Sequence, residues 1–321
     1  MKKKIIILLG DPASINSEII CKTWKKLPKN LKKIVYIISS FDVLKAQIEK
    51  LRYKIKLQKI NSIDENLDTN KLKILNIDLS FKDPFKFNST ELKQHIFKSF
   101  DLAHKLALNN KKISGIINCP VNKNVLGNKG FGVTELLASK CSIKNNTEVM
   151  FIRNNKLAVS PITTHTDLKH VAKKISKKLI ITKIKSLNLN FSKIFSKRPK
   201  IAILGLNPHN AELRKNSEER RFIIPSIKYL KKQKIKVFGP FAADTIFLND
   251  YKKYDVIVGM YHDQVLAPFK TLYKFNAINL TLGLKYLRVS PDHGIAANLI
   301  GKNKADFISL YECVKFCNKF G

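Results

Sequence analysis

The sequence predicts an α/β protein with a largely parallel sheet, divided into two domains. Three features carry that expectation. Short β-branched runs alternate with longer helical patterns nearly from end to end. The strand-like runs are continuously apolar, as strands covered on both faces are. The 321 residues exceed one average domain, so two of roughly 150 residues each are expected. With 44% hydrophobic residues, twelve Gly and eleven Pro, the composition excludes a collagenous or wholly disordered chain.

Strands are expected at 4–9, 33–38, 73–77, 113–118, 149–152, 157–162, 200–204, 236–238, 255–259 and 277–280. The first is too short for the apolar core of a signal peptide, and Gly10-Asp11-Pro12 follows it at once. A helix at 89–108 carries Leu92, Ile96, Phe100, Leu102 and Leu106, with Ser89 as its N-cap. A second, at 166–186, carries Leu168, Val171, Ile175 and Leu179 behind Thr166. The segment from Ser290-Pro291-Asp292-His293-Gly294 through Ala297 reads as the opening of a helix whose first N–H groups suit an anion or cofactor, or as an ordinary Pro-initiated turn. Nothing repeats, and no stretch approaches the ~20 apolar residues of a membrane span.

Charge is the anomaly. Sixty Lys and Arg against 24 Asp and Glu give a net +36. Only Arg52, Arg153, Arg198, Arg214, Arg220, Arg221 and Arg288 are arginines, while lysines run from Lys2 to Lys319. Nucleic-acid recognition favours Arg and gathers its charge on one face. Scattered lysine reads instead as drift toward AT-rich codons, with polyanion affinity a by-product, and no specific nucleic-acid partner is expected. Five cysteines with no CxxC pair read as buried free thiols in a reduced, cytoplasmic protein.

In open α/β sheets ligands lie beyond the carboxyl ends of strands. Six polar clusters occupy such positions here, and together they argue for one composite site. They are Gly10-Asp11-Pro12, Asn118-Cys119-Pro120-Val121-Asn122-Lys123, Thr163-Thr164-His165, Asn207-Pro208-His209, Tyr261-His262-Asp263-Gln264 and Ser290-Pro291-Asp292-His293-Gly294. Four of the seven histidines fall in them. Imidazoles beyond three separate strands (His165, His209, His262) suit a divalent metal with open positions for substrate oxygens, although a lone strand-end His is more often structural. There is no GxGxxG and no GxxxxGK[ST], which disfavours a standard dinucleotide fold and a P-loop. Lys270, Asn279 and Arg288 punctuate an apolar stretch and suit an acidic substrate, Lys270 reading equally well as a solvated lysine. Asp244 and Asp263 suit a proton acceptor or an orienter of the histidines, or a plain N-cap.

Read in order, these clusters resemble a known family. Its pattern also matches Gly132-Val133-Thr134-Glu135, Gly239-Pro240 with Ala243-Asp244-Thr245, the run from Met260 through Lys270, and Asn279-Leu280-Thr281-Leu282-Gly283-Leu284. The family is 4-hydroxythreonine-4-phosphate dehydrogenase, and the resemblance covers nearly the whole chain. It implies a homodimer of two-domain subunits related in fold to isocitrate and isopropylmalate dehydrogenases, with a cleft between the domains and an active site drawing on both subunits. The domains are expected at 1–120 plus 288–321 and at 121–287, the second carrying the metal ligands and dimer contacts.

The resemblance implies His165, His209 and His262 as ligands of Zn²⁺, Mg²⁺ or Co²⁺. It implies Thr134, Lys270, Asn279 and Arg288 as substrate-binding residues. Asp244 and Lys270 are expected as the catalytic residues. NAD or NADP is expected near Asp292, His293 and Gly294. The implied substrate is a small phosphorylated hydroxy-amino acid. A sister dehydrogenase of a phosphothreonate or phosphoerythronate is the alternative. Four features depart from the family pattern: Val133 replaces a substrate-binding His, Ser14 a Gly, Asn298 and Asn303 an Asp and a Gly, and 210–219 lacks the usual glycines.

Overall fold

The computed structural model describes residues 3–65, 70–126, 132–143 and 147–321, the side chain of Lys123 excepted. It divides into a first unit, Met1–Leu137 with Lys285–Gly321, and a second, Ala138–Leu284. The sequence-based boundaries stood at 120/121 and 287/288.

Twelve strands form among the described residues. β1 (Lys4–Leu8), β2 (Val35–Ser39), β3 (Leu57–Ile60), β4 (Leu72–Asn76) and β5 (Ile113–Asn118) belong to the first unit. β6 (Val149–Arg153), β7 (Ala158–Pro161), β8 (Ile201–Leu204), β9 (Val237–Phe241), β10 (Val256–Gly259) and β11 (Ile278–Leu282) belong to the second, and β12 (Arg288–Pro291) returns to the first.

In the first unit the order is β3-β4-β2-β1-β5-β12, and every pairing is parallel. Ile5 to Leu8 of β1 are all at most 2% exposed, the burial expected of a strand with helices on both faces. In the second unit the order is β11-β6-β7-β10-β8-β9. β7, β10, β8 and β9 are parallel, while β6 is antiparallel to both of its neighbours. The reversal is a hairpin in which the Asn154 side chain accepts from the N–H groups of Lys156 and Leu157.

All ten expected strands form, and two more were not foreseen. β3 is a short edge strand, Leu-Gln-Lys-Ile, with only Ile60 buried, so its apolar signal is weak. β12 is only four residues long, and its last two residues fall in the segment from Ser290 that was read as a helix opening or a Pro-initiated turn. The helix alternative is corrected: between β12 and the helix Ile308–Phe320 there is only a three-residue 3₁₀ turn, Ala297–Leu299, behind a left-handed Ala296.

Two helix starts are also corrected. Ser89–Asn109 is capped by Asn88, whose side chain accepts from the N–H groups of Thr90 and Glu91. The expected 166–186 helix is two helices, Leu168–Lys174 and Lys177–Phe195. Extended backbone at Ile175 and Ser176 breaks it, and the Ser176 hydroxyl caps the second by accepting from Leu179 N–H. The five cysteines are buried free thiols.

Lys73 on β4 is 1% exposed. Its Nζ donates to the carbonyls of Lys32 and Lys33 at 2.9 and 2.7 Å and lies 4.5 Å from the Tyr36 ring centroid. Burial, helped by the charge of Lys4, draws its pKa from 10.5 down to about 8. The unfolded chain therefore keeps this proton to higher pH than the fold does, and stability rises between about 8 and 10.5. The handicap, on the order of 3 kcal/mol, is complete below pH 8. Thermal unfolding of Lys73→Met against the parent should show a stability difference that moves steadily in the parent's favour across that window.

Candidate active site

The polar clusters fall into two trios, one in each unit. In the second unit β7, β10 and β8 are neighbours, and their carboxyl ends carry Thr163-Thr164-His165, Tyr261-His262 and Asn207-Pro208-His209. Parallel pairing of β7 with β10 continues past the strands: Ile162 N–H donates to Gly259 O at 2.8 Å, and the Thr163 hydroxyl to Met260 O at 2.8 Å. That register sets His165 beside His262, with ring centroids 6.3 Å apart. His262 opens the helix His262–Tyr273, and its Nδ1 lies 2.7 Å from Asp263 Oδ1. A carboxylate on Nδ1 fixes the ring and turns Nε2 outward as the donor, the arrangement of a metal-binding imidazole.

β8 is joined to this pair by Gln264. Its Oε1 accepts from Met260 N–H and its Nε2 donates to Gly205 O, both at 2.7 Å. Beyond Gly205 the chain is held by Glu219, which is fully buried. Glu219 accepts from the N–H groups of Leu206 and Asn207 at 2.8 and 2.9 Å and from the Asn207 amide at 3.1 Å. Burial pushes its carboxyl up, but these bonds outweigh burial and hold it below the usual range. Packing is close at Gly205, where a Cβ would sit 2.0 Å from Asn210 Oδ1 and oblige that side chain to move. His209 itself is exposed, in a turn where His209, Asn210, Ala211, Glu212 and Leu213 all have φ between 43° and 58°. Among the described residues no three His, Cys, Asp or Glu side chains are grouped to hold a metal ion.

Elsewhere in the second unit, Asp244 is exposed on the short helix Ala243–Ile246 after β9. Lys270 lies on the His262 helix with Nζ 5.5 Å from the Phe275 ring centroid. Asn279 is on β11, opposite Ile152, and its enclosed Oδ1 accepts no hydrogen bond.

The first unit gathers the other trio at the ends of β1, β5 and β12, again neighbours. Gly10 turns with φ 75°, and a Cβ there would strike the Pro120 and Cys119 carbonyls at 2.6 and 2.7 Å. The turn buries Asp11, which accepts from Ala13 and Asn122 N–H; burial raises its pKa against those bonds. Arg288 begins β12 at 3% exposure, and its Nε donates to Asn118 Oδ1 at 2.6 Å. Nη1 lies 3.4 Å from the Thr134 hydroxyl, on the helix Val133–Lys140. Burial lowers the guanidinium pKa to about 10, against the raising influence of Cys313, Glu135 and Tyr286, so it is charged at neutral pH. Asp292 is buried, its N–H donating to the Ser309 hydroxyl, and His293 Nδ1 lies 3.0 Å from Gly294 O. A Cβ at Gly294 would meet open space.

Comparison with known proteins places this arrangement. Residues 30–317 match the family described as pyridoxal phosphate biosynthetic protein PdxA. The chain belongs to the PdxA family. The 4-hydroxythreonine-4-phosphate dehydrogenase of Sulfurihydrogenibium sp. is 38% identical, over 97% of this chain and 96% of the relative. The crystal structure of the enzyme so named from Klebsiella pneumoniae is 28% identical over 98% of both chains, with a TM-score of 0.84. An isocitrate dehydrogenase from Methylococcus capsulatus, 10% identical, shares the fold over 98% of this chain and 84% of its own at a TM-score of 0.50.

Several departures of this PdxA-family chain have local explanations. The Ser14 hydroxyl donates to Asp11 O and accepts from Asn16 N–H, locking the Gly10 turn. Asn303 takes up a left-handed φ of 57°, which Asn tolerates better than most residues. Val133 is half-buried beside Thr134. The turn after His209 holds left-handed backbone without glycines, at about 1–2 kcal/mol for each residue. Glu212→Gly, at an exposed position, should therefore raise stability by roughly 1 kcal/mol. Chemical denaturation against the parent would check it.

Asn118, Glu219 and Gln264 received no role from sequence. Asn118 and Gln264 at least lie within the strand-end clusters. Glu219 stands in a charged run with nothing to mark it as buried.

Proposed function

We propose that the chain is a metal-dependent, NAD(P)-linked dehydrogenase of 4-phosphohydroxy-L-threonine, working as a homodimer with its active site at the subunit interface. The observation that carries this reading is the His165–His262 pair with Asp263 on one imidazole, in a family whose members are named for that activity. Oxidation at the secondary hydroxyl sends a hydride to NAD(P)⁺ and releases the hydroxyl proton, giving 2-amino-3-oxo-4-phosphooxybutanoate. This β-keto acid loses CO₂ to give 3-amino-2-oxopropyl phosphate, a precursor in pyridoxine 5′-phosphate biosynthesis.

The donor set fits a divalent ion, being imidazole with a carboxylate orienter. His165, His262 and His209 would hold it, the set being completed in the dimer. Bound there, Zn²⁺, Mg²⁺ or Co²⁺ supplies Lewis acidity that lowers the pKa of the substrate hydroxyl. Arg288 and Lys270 bind the substrate's anionic groups. Thr134 hydrogen-bonds beside Arg288, and the enclosed Asn279 Oδ1 accepts from a substrate donor. Asp244 takes the hydroxyl proton. Asp292, His293 and Gly294 hold the cofactor, whose approach to the backbone the open face of Gly294 permits. The setting is cytoplasmic. No helix among the described residues is long and apolar enough to cross a membrane.

The test is NADH or NADPH formation with 4-phosphohydroxy-L-threonine, before and after chelation and after metal is restored. Turnover that chelation abolishes and metal restores is expected. Metal and cofactor binding without turnover would move the substrate to a phosphothreonate or phosphoerythronate. Val133, an apolar side chain at a position read as a substrate-binding His, favours that second reading.

A further inference from the structure

We propose that Asn118 is a positioning residue for substrate binding, and that it acts by aiming Arg288 without neutralising it. The proposal rests on the reading of Arg288 as an anchor for a substrate anion. Parallel pairing of β12 with β5 sets Arg288 opposite Ile116, so its side chain runs along the sheet toward the end of β5. There Asn118 takes the Nε–H at 2.6 Å. The Asn118 amide is itself oriented, because its Nδ2 donates to Cys119 O at 3.4 Å and leaves Oδ1 toward the guanidinium. With Nε held, the guanidinium plane is set and its Nη end is directed to Thr134.

Charge decides which acceptor serves here. Arg288 is 3% exposed, so an anion has to come to it. The Glu135 carboxylate already acts on it electrostatically. An amide oxygen adds geometry and no further negative charge. A carboxylate at the same position would supply similar geometry, pair with the cation and repel the incoming anion. Neutral Asn is therefore matched to an anionic ligand, whereas a purely structural role for Arg288 would be served at least as well by Asp.

Asn118→Asp is nearly isosteric and separates the two roles. Steady-state kinetics of the holoenzyme with 4-phosphohydroxy-L-threonine should show KM raised at least tenfold, kcat within about threefold, and thermal stability no lower than the parent's. Asn118→Ala should raise KM as well, with some loss of stability. Inorganic phosphate binding, followed by calorimetry, should weaken in parallel in both variants and reads the site even in the absence of turnover. Arg288→Gln is measured alongside. If Arg288→Gln leaves KM and phosphate affinity unchanged, the anchor reading fails and the proposal with it. If Arg288→Gln weakens both while Asn118→Asp leaves both at parental values, the proposal alone is overturned.

Discussion

His262→Ala should lower kcat by about 10³-fold or more, equivalent to some 4 kcal/mol of transition-state stabilisation. The loss should accompany weakened metal binding, with the fold retained. The side chain is partly exposed at the start of a helix, and its removal leaves no cavity in the core beneath, where Val265, Leu266 and Phe269 are buried. Asp263→Asn makes the prediction more specific. It keeps the ring's neighbour but removes the charge 2.7 Å from Nδ1, and a loss of about 10–100-fold in metal affinity is the usual effect of removing such a partner. Calorimetric zinc titration with activity measured on the same samples checks both variants. Activity surviving in His262→Ala at parental metal affinity would remove this imidazole from the site.

The second large effect belongs to Arg288. Arg288→Lys keeps the charge but cannot reproduce the fork that reaches Asn118 and Thr134. The bonds that aim the guanidinium are lost, and with them about one charge-assisted hydrogen bond to the substrate worth about 1.5–3 kcal/mol, so kcat/KM should fall by at least 10-fold, chiefly through KM. Because the guanidinium is buried, thermal unfolding has to be followed beside the kinetics. A variant that loses stability while KM stays put would mark Arg288 as a structural cation. The pH profile adds a check: with a guanidinium pKa of about 10, this contact should not alter KM below about pH 9.

What sequence could show of this fold depended on where its signals are strong. Ten strands were legible because runs such as Ile5 to Leu8 or Val256 to Val258 are unbroken and apolar, and polar residues follow directly where parallel strands end. β3 was not, because an edge strand covered on one side needs few apolar residues. Nor was the break at Ile175, since Val171, Ile175 and Leu179 keep the helical apolar spacing across it while Ser176 caps the next helix.

Spatial order is the other thing a linear reading lacks. The six clusters were read as one site from their order alone, and the pairing adds how each unit gathers three of them: β12 lies beside β5, and β10 lies between β7 and β8. Asn118 belonged to a quoted cluster, but only the pairing of β12 with β5 reveals that it faces Arg288. Glu219 is harder still. An acidic residue between Glu218 and Arg220 reads as solvated, and its burial follows from the chain folding back over Leu206 and Asn207.

The loop bearing His209 has two mechanical regimes within a few residues. At its base the amides of Leu206 and Asn207 are clamped on a buried carboxylate and can be released only with the surrounding core. From His209 to Leu213 the backbone is held against its own preference on an outer face where four of the five residues are not buried. His209 thus sits on a strained, exposed tip beyond a clamped base, whereas His262 is carried by the start of a helix and His165 by the segment that follows β7.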